Sequence, residues 1–398
     1  MNNRVLSGMR PTGRLHLGHY HGVLKNWLDL QNEYDSYFFV ADWHAFTTHY
    51  SDQIDLQKHV IEMVVDWLAL GINPNTSTVF VQSKVPEHAE LHLLLSMSTP
   101  LAWLERVPSY KDQQLKLQAK ELDTYGFLGY PLLQSADILI YKADLVPVGE
   151  DQVAHVELTR EVARRFNHVY GRELDFKQKA EAAIGKMGKK QAKLYRTLRK
   201  AYQETGDDDA LVKANVLLKE QQNITLADRE RLAGYIEGVG KIILPEPESL
   251  LTKTSKMPGL DGQKMSKSYG NAIALRDTTE VIEAKIKRMP TDPARVKLTD
   301  KGDPQKCPVW QLHEVYSDES RCAWVVDGCT NAKMGCVECK QPVIEAIQGE
   351  LAPIQESIAE YQSQPDLVKQ IIFEGSEKAS RIAKQTLAEV KEAMGITY

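Results

Sequence analysis

The chain has 398 residues, a net charge of −5 and 42% apolar content. That length allows two or three domains and a large core, and that charge excludes a molecule that is a polycation throughout, so any nucleic acid must be held by local basic patches. No apolar run reaches the ~18 residues of a membrane span, and the N-terminus enters a strand-like stretch with no basic flank or apolar signal core, so the expectation is a cytoplasmic protein with no membrane partner.

Val5 to Met9 reads as a strand, and a helix is predicted from about Gly18 to Gln31. Between them stand His16, Leu17, Gly18 and His19. A helix start after a strand favours phosphate through its free amides and dipole. Gly18 lets a flat base approach the backbone. His16 and His19 can both face a triphosphate and stabilise charge building on its α-phosphoryl group. The bland alternative is a turn carrying two surface histidines. Ser36 to Ala41 is a short aromatic run of the kind found in buried parallel strands. Ser51 is expected to cap an amphipathic helix to about Leu70. Thr78 to Gln82 reads as a strand, and helices fill Glu87 to Leu122 with breaks at Pro100 and Pro108.

Gly126 to Tyr141 is an apolar helix containing Asp137. A carboxylate there is costly unless paired. An indole N–H, one donor with no acceptor, suits it, as would a nearby Arg or backbone amide. Leu145 to Val148 reads as a strand, followed by Gly149, Glu150 and Asp151 at a helix start running to about Asn167. A carboxylate at a strand end is placed for ribose hydroxyls, or simply caps the helix. Strands alternating with helices predict a Rossmann-like, doubly wound parallel α/β sheet.

The composition shifts near Arg172, and a helical insertion is predicted at about 172–240. Seven basic residues (Lys186, Lys189, Lys190, Lys193, Arg196, Arg199, Lys200) with no acidic ones between Ala182 and Gln203 could meet phosphates or form a soluble face. Lys241 to Leu244 is expected to resume a strand. The mobile-looking loop Lys264-Met265-Ser266-Lys267-Ser268 follows. Its two lysines can neutralise a departing pyrophosphate as point charges, with Ser266 and Ser268 holding the loop or donating hydrogen bonds. Beyond it the chain is predicted to be helical apart from a cysteine segment: Thr278 to Arg288, Val343 to Tyr361, Asp366 to Glu374, and a last helix after Gly375. Cys307, Cys329, Cys336 and Cys339 supply four thiols, with Cys322 left over. Thiolates select iron–sulfur clusters or zinc, and plain reduced cysteines are a further option.

The His16–His19 and Lys264–Ser268 elements resemble the HIGH and KMSKS signatures of class I aminoacyl-tRNA synthetases. Val146 to Gln152, Glu157 to Arg160, Arg164 to Asn167 and Gly375 to Ala379 resemble the tryptophanyl members of that class, and the likeness spans nearly all of the chain except the insertion. It implies a catalytic domain over 1–275 and an all-helical, anticodon-binding domain over 276–398. It implies ATP, with Mg2+, held by Arg10, Pro11, Thr12, Gly18, His19, Lys111, Gly149, Glu150, Asp151 and the Lys264–Ser268 loop. His16, His19, Lys264 and Lys267 would be catalytic. Asp137 would read the indole of L-tryptophan, with Tyr130, Gln152 and His44 around the amino acid. Some members resemble this cysteine pattern closely and carry a [4Fe-4S] cluster, which would rest on Cys307, Cys329, Cys336 and Cys339; zinc is the alternative. The partners implied are tRNA(Trp) and a second copy of the chain, through Glu87 to Leu122. Leu6, Gln134 and His19 stand where relatives carry an aromatic, a methionine and an asparagine. A tyrosine enzyme and a non-catalytic RNA-binding protein are the competing readings.

Overall fold

The computed structural model describes residues 3–52, 55–108, 110–111, 123–171, 175–238, 240–251 and 257–398. Its sheet has five strands, β1 (Arg4–Met9), β2 (Asp35–Val40), β3 (Thr78–Val81), β4 (Leu145–Val148) and β5 (Glu248–Leu251), in the order β3-β2-β1-β4-β5. β2 and β3 run parallel with Tyr37 opposite Thr78, and β1 and β4 run parallel with Val5 opposite Leu145. Short connections cannot make parallel pairs, so helices cross between the strands: α1 (Leu17–His19) and α2 (Lys25–Glu33), then α3 (Asp42–His49) and α4 (Leu56–Ala69), then α5 (Glu87–Ser96), α6 (Leu101–Glu105) and α7 (Tyr125–Ile140). The order reverses at β1, which is the switch-point arrangement of Rossmann-like folds.

By contact density the chain divides into two units. The first comprises Ser7–Lys84 and Leu251–Glu377; the second comprises Asn3–Leu6, Val85–Leu250 and Lys378–Tyr398. In the first, Trp27 stacks on Phe38 at 4.3 Å and meets the edge of Trp67 at 5.1 Å, which packs α2 and α4 on β2. Its later helices are α13 (Thr279–Lys287), α14 (Pro308–Tyr316), α15 (Glu319–Thr330), α16 (Cys336–Gln362) and the first part of α17 (Pro365–Met394). In the second unit, α8 (Val153–Tyr170) packs along α7. The stretch expected as an insertion forms α9 (Phe176–Lys186), α10 (Lys189–Thr205), α11 (Asp208–Glu220) and α12 (Leu226–Glu237). These share a core of Ile184, Tyr195, Ala214, Leu218, Leu232 and Ile236.

Several elements differ from their sequence-based expectation. Asp55, not Ser51, caps α4 by accepting from the Lys58 amide. The predicted strand at Lys241–Leu244 is absent, because the Ile243 and Leu244 amides donate to the Asn167 carboxamide at 2.9 and 3.0 Å; the sheet resumes at β5. Residues Tyr20–Leu24 form a π-helical turn between α1 and α2. α17 passes through Gly375 without a break. A Cβ there would stand 1.9 Å from the Val79 carbonyl, so the glycine serves close approach of helix to strand and not termination. Of the helical stretch expected over 87–122, residues 109 and 112–122 lie outside the described residues, as do 172–174 and 239 of the insertion. No helix among the described residues is long and apolar enough to cross a membrane.

Candidate active site

In the first unit, the segment before α1 pairs with the segment after the lysine loop. His16 bridges Ala274 in antiparallel fashion, the Leu17 amide donates to Ile273 O at 3.0 Å, and the Leu275 amide donates to Leu15 O at 3.0 Å. Two motifs about 250 residues apart in sequence therefore share one place. A Cβ on Gly18 would meet the His16 ring at 2.9 Å and Met265 Cβ at 3.4 Å. Lys267 Nζ donates to Gly13 O at 2.8 Å. The His16 and His19 rings lie 3.7 Å apart, and the His16 amide donates to His19 Nδ1 at 3.2 Å. Burial, helped by the Lys267 charge, lowers His16 to about 4, and burial with the charges of His16, Lys267 and Lys264 holds His19 well below its usual value. Both imidazoles are thus neutral at pH 7 and act as hydrogen-bonding groups. His16 Nδ1 is buried and meets no protein partner, a costly state that a polar ligand atom would relieve.

The loop is tied by Asn271, which sequence reading missed. Its Oδ1 accepts from the Ser266 amide at 2.8 Å, and its Nδ2 donates to Asp261 Oδ1 at 2.7 Å and to Lys264 O at 3.2 Å. Met265 is buried and Lys264 is exposed. Ser268 falls in the short turn Lys267–Tyr269; its side chain lies outside the described residues. Burial lowers Lys267 to about 8, opposed by Asp66. Asp66 is itself raised to about 6 by burial, opposed by Arg276, whose Nε and Nη2 reach Asp66 Oδ1 at 2.8 and 2.7 Å. Arg10 is exposed, Pro11 buried and Thr12 half-buried, in the turn closed by the Thr12 amide on Arg10 O. His44 is buried on α3.

The second unit carries the remaining predicted residues. Asp137 is 1% exposed on α7. His88 Nδ1 lies 2.6 Å from Asp137 Oδ1, and His88 Nε2 lies 2.7 Å from the Tyr141 hydroxyl. Sequence reading named neither partner. Tyr130 is buried with its ring 5.5 Å from that of Phe127 and 5.8 Å from that of His155. Gly149 precedes the short turn Glu150–Gln152, closed by the Gln152 amide on Gly149 O at 3.0 Å. Glu150 is exposed and Gln152 half-buried, while the Asp151 side chain lies outside the described residues. Lys111 is exposed.

The cysteines are free thiols in the first unit. Burial pushes Cys339 up to about 12, with Cys307, Cys329 and Cys336 adding. Those four feel one another electrostatically, whereas Cys322 stands apart, its thiol on His313 O and Ser317 O at 3.7 and 3.8 Å. The four match a cluster in donor type. Among the described residues, however, no group of three or more His, Cys, Asp or Glu side chains stands ready to hold a metal ion.

Comparison with known proteins gives a consistent set. The family model described as class I tRNA synthetases (W and Y) matches residues 1–195 and 220–352. A tryptophan–tRNA ligase from Ralstonia nicotianae is 63% identical over 395 residues, covering 99% of both chains. One from Thermotoga maritima is 42% identical over 397 residues, covering 99% of this chain and all of that one. Among solved structures, a tryptophanyl-tRNA synthetase from Campylobacter jejuni, complexed with ADP and tryptophan, aligns with a TM-score of 0.72 at 26% identity, covering 98% of this chain and 99% of that chain.

Proposed function

We propose a residue-level account of catalysis on the premise that this chain belongs to the class I tRNA synthetase family for tryptophan and tyrosine and is a tryptophan–tRNA ligase. It uses ATP to join L-tryptophan to tRNA(Trp). In the first step a tryptophan carboxylate oxygen attacks the α-phosphorus of ATP, and the bond to the bridging oxygen breaks to release pyrophosphate. In the second, a terminal ribose hydroxyl of the tRNA attacks the adenylate carbonyl, loses its proton and releases AMP. Neither step needs a side-chain nucleophile, so positioning and charge stabilisation carry the rate.

The observation that carries this account is the pairing of the His16 segment with the segment after the lysine loop, which joins His16, His19 and Lys267. His16 and His19 would donate to phosphate oxygens. Lys267 and Lys264 would neutralise the pyrophosphate, Lys267 exchanging its present bond to Gly13 O for a phosphate oxygen. Met265 and Gly18 would pack the base side, with Arg10, Pro11, Thr12, Lys111, Gly149, Glu150, Asp151, Ser266 and Ser268 completing the ATP site. Mg2+ would accompany the phosphates of ATP and offset their charge. Asp137, Tyr130, Gln152 and His44 would hold tryptophan. Lys267→Ala should slow tryptophan-dependent pyrophosphate exchange at least ~100-fold while leaving equilibrium tryptophan binding within about threefold; equal losses in both would remove Lys267 from this role.

Four further readings belong to the same account. Residues 1–275 form the catalytic part and 276–398 the part that reads the anticodon. The protein acts in the cytoplasm as a homodimer through the 87–122 stretch, where Leu93, Met97, Leu101 and, just beyond, Tyr125 are exposed; apolar groups of this kind favour a protein partner. Cys307, Cys329, Cys336 and Cys339 would hold a [4Fe-4S] cluster, with Zn2+ as the alternative, supported by the donor type of the four thiols and their electrostatic influence on one another. Such a group would fix the α14–α16 helices through thiolate bonds. Iron and zinc analysis of the purified protein separates the two, and absence of both ends that reading.

A further inference from the structure

The residue that reads an indole N–H is only as selective as its orientation allows. Asp137 lies in the last turn of α7 and Tyr141, four positions on, is the residue that caps its C-terminus, so the two share one side of that helix end. His88, in the first turn of α5, faces both. Its Nδ1 is 2.6 Å from Asp137 Oδ1 and its Nε2 is 2.7 Å from Tyr141 Oη. His88 and Tyr141 are fully buried and Asp137 is 1% exposed. An ionised carboxylate only accepts, so Nδ1 must carry the proton in this pair. In the tautomer with its single proton on Nδ1, Nε2 offers a lone pair, to which the tyrosine hydroxyl donates. The three side chains form one directed chain of donors, from Tyr141 through His88 to Asp137.

We infer that His88, held by Tyr141, is a positioning residue for tryptophan selection: it fixes the Asp137 carboxylate as an acceptor aimed at the indole nitrogen. The inference rests on the ligase reading and on the role of Asp137. Without the imidazole donor, a buried carboxylate would turn to other partners or take up a proton. A protonated Asp137 presents a donor of its own, and the site would no longer reject a ring lacking N–H. Position 88 therefore carries a chemical requirement. The residue must donate at the Nδ1 position, and a donor at the Nε2 position does not replace it.

The test uses the full chain and tryptophan-dependent pyrophosphate exchange. The probe is benzothienylalanine, in which sulfur replaces the indole N–H at nearly the same size. The parent protein should prefer tryptophan in kcat/KM by at least ~100-fold, because the analogue has no N–H to donate to the carboxylate. His88→Gln, whose amide reaches the Nε2 position, should lose most of that preference, through a higher KM for tryptophan with kcat changed less than about threefold. His88→Asn, whose amide occupies the Nδ1 position, should keep it within about tenfold of the parent, and Tyr141→Phe should fall between the two. Thermal melts of all variants report packing separately. Equal loss of selectivity in His88→Gln and His88→Asn would overturn the inference and reduce His88 to a core-filling residue, as would a parent-like ratio in a folded His88→Gln. Absence of tryptophan-dependent exchange in the parent would instead overturn the ligase reading itself.

Discussion

Two demands meet at Lys267. Its proposed role calls for charge to hold pyrophosphate, yet burial lowers the ammonium to about 8. The sign is that of a depressed cation: below about 8 the free enzyme holds it charged, and above that it loses the proton. kcat/KM for ATP reports the free enzyme, so it should fall above pH ~8, by about tenfold per unit at the limit. Lys267→Arg keeps its charge throughout, so its profile should stay level across pH 8–9.5 even if its rate is lower. Steady-state exchange assays between pH 6.5 and 9.5 check this, and a level profile in the parent would contradict it. His16, His19, Asp137 and Lys267 stand out in the sequence because each carries unusual chemistry beside telling neighbours. His88 does not. Its meaning comes from a partner forty-nine positions away, which a sequence does not mark. Asn271 was hidden for the opposite reason: it organises the loop through backbone contacts, which any asparagine near a turn can make.

Helices and strands with strong periodicity were legible to within a few residues, as α7, β4 and α13 show. Errors came where tertiary contacts overrode local signals. Gly375 reads as a stop and is a packing device against Val79. Lys241–Leu244 reads as a strand, yet the Asn167 side chain takes its amides. Among helices α9–α12, α10 carries Lys189, Lys193, Arg196 and Lys200 along one edge of a cleft of about 500 Å3. Arg196 pairs with Glu181 at 2.7 Å, and Arg199 is turned onto the Tyr235 ring at 3.9 Å. Lysines in a first turn oppose the helix dipole at a cost of about 0.3–1 kcal/mol each, so folding does not call for Lys189 and Lys190. Phosphates of tRNA suit that stripe. Reversing Lys189 and Lys193 to Glu should raise KM for tRNA about tenfold at low salt and flatten its salt dependence by ~1–2 log units per decade. Tryptophan-dependent exchange without tRNA should not change. Aminoacylation kinetics at several salt concentrations check this, and an unchanged KM for tRNA would make the stripe a solvated face.

For the molecule as a whole, fold class and chemistry were legible from two short motifs in the right order, whereas the connections that hold distant segments were not. Glu350 of α16 accepts from Tyr316 at 2.9 Å and from Lys25 at 3.0 Å, and it meets His21 at 3.0 Å. These bonds lower its carboxyl to about 2 against the opposing effect of burial. The π-helical turn that carries His21 directly follows the His16–His19 motif, so a helix of the C-terminal region is bonded beside that motif within one unit. In the other unit, Lys142 ties Glu230 of α12 to Glu389 of α17 at 2.8 and 2.7 Å, one residue beyond the Tyr141 that holds His88. Both networks join residues more than 80 positions apart and leave no periodic trace in the sequence.

What the whole account requires is that a buried acceptor on α7 choose the amino acid and that paired imidazoles and ammonium groups activate it. Isotope exchange of pyrophosphate into ATP, run on the same protein with tryptophan and with tyrosine, measures both at once. Tryptophan should drive rapid exchange, with kcat/KM about 10^4-fold or more above that for tyrosine. Comparable exchange with the two amino acids, or none with tryptophan, would contradict it.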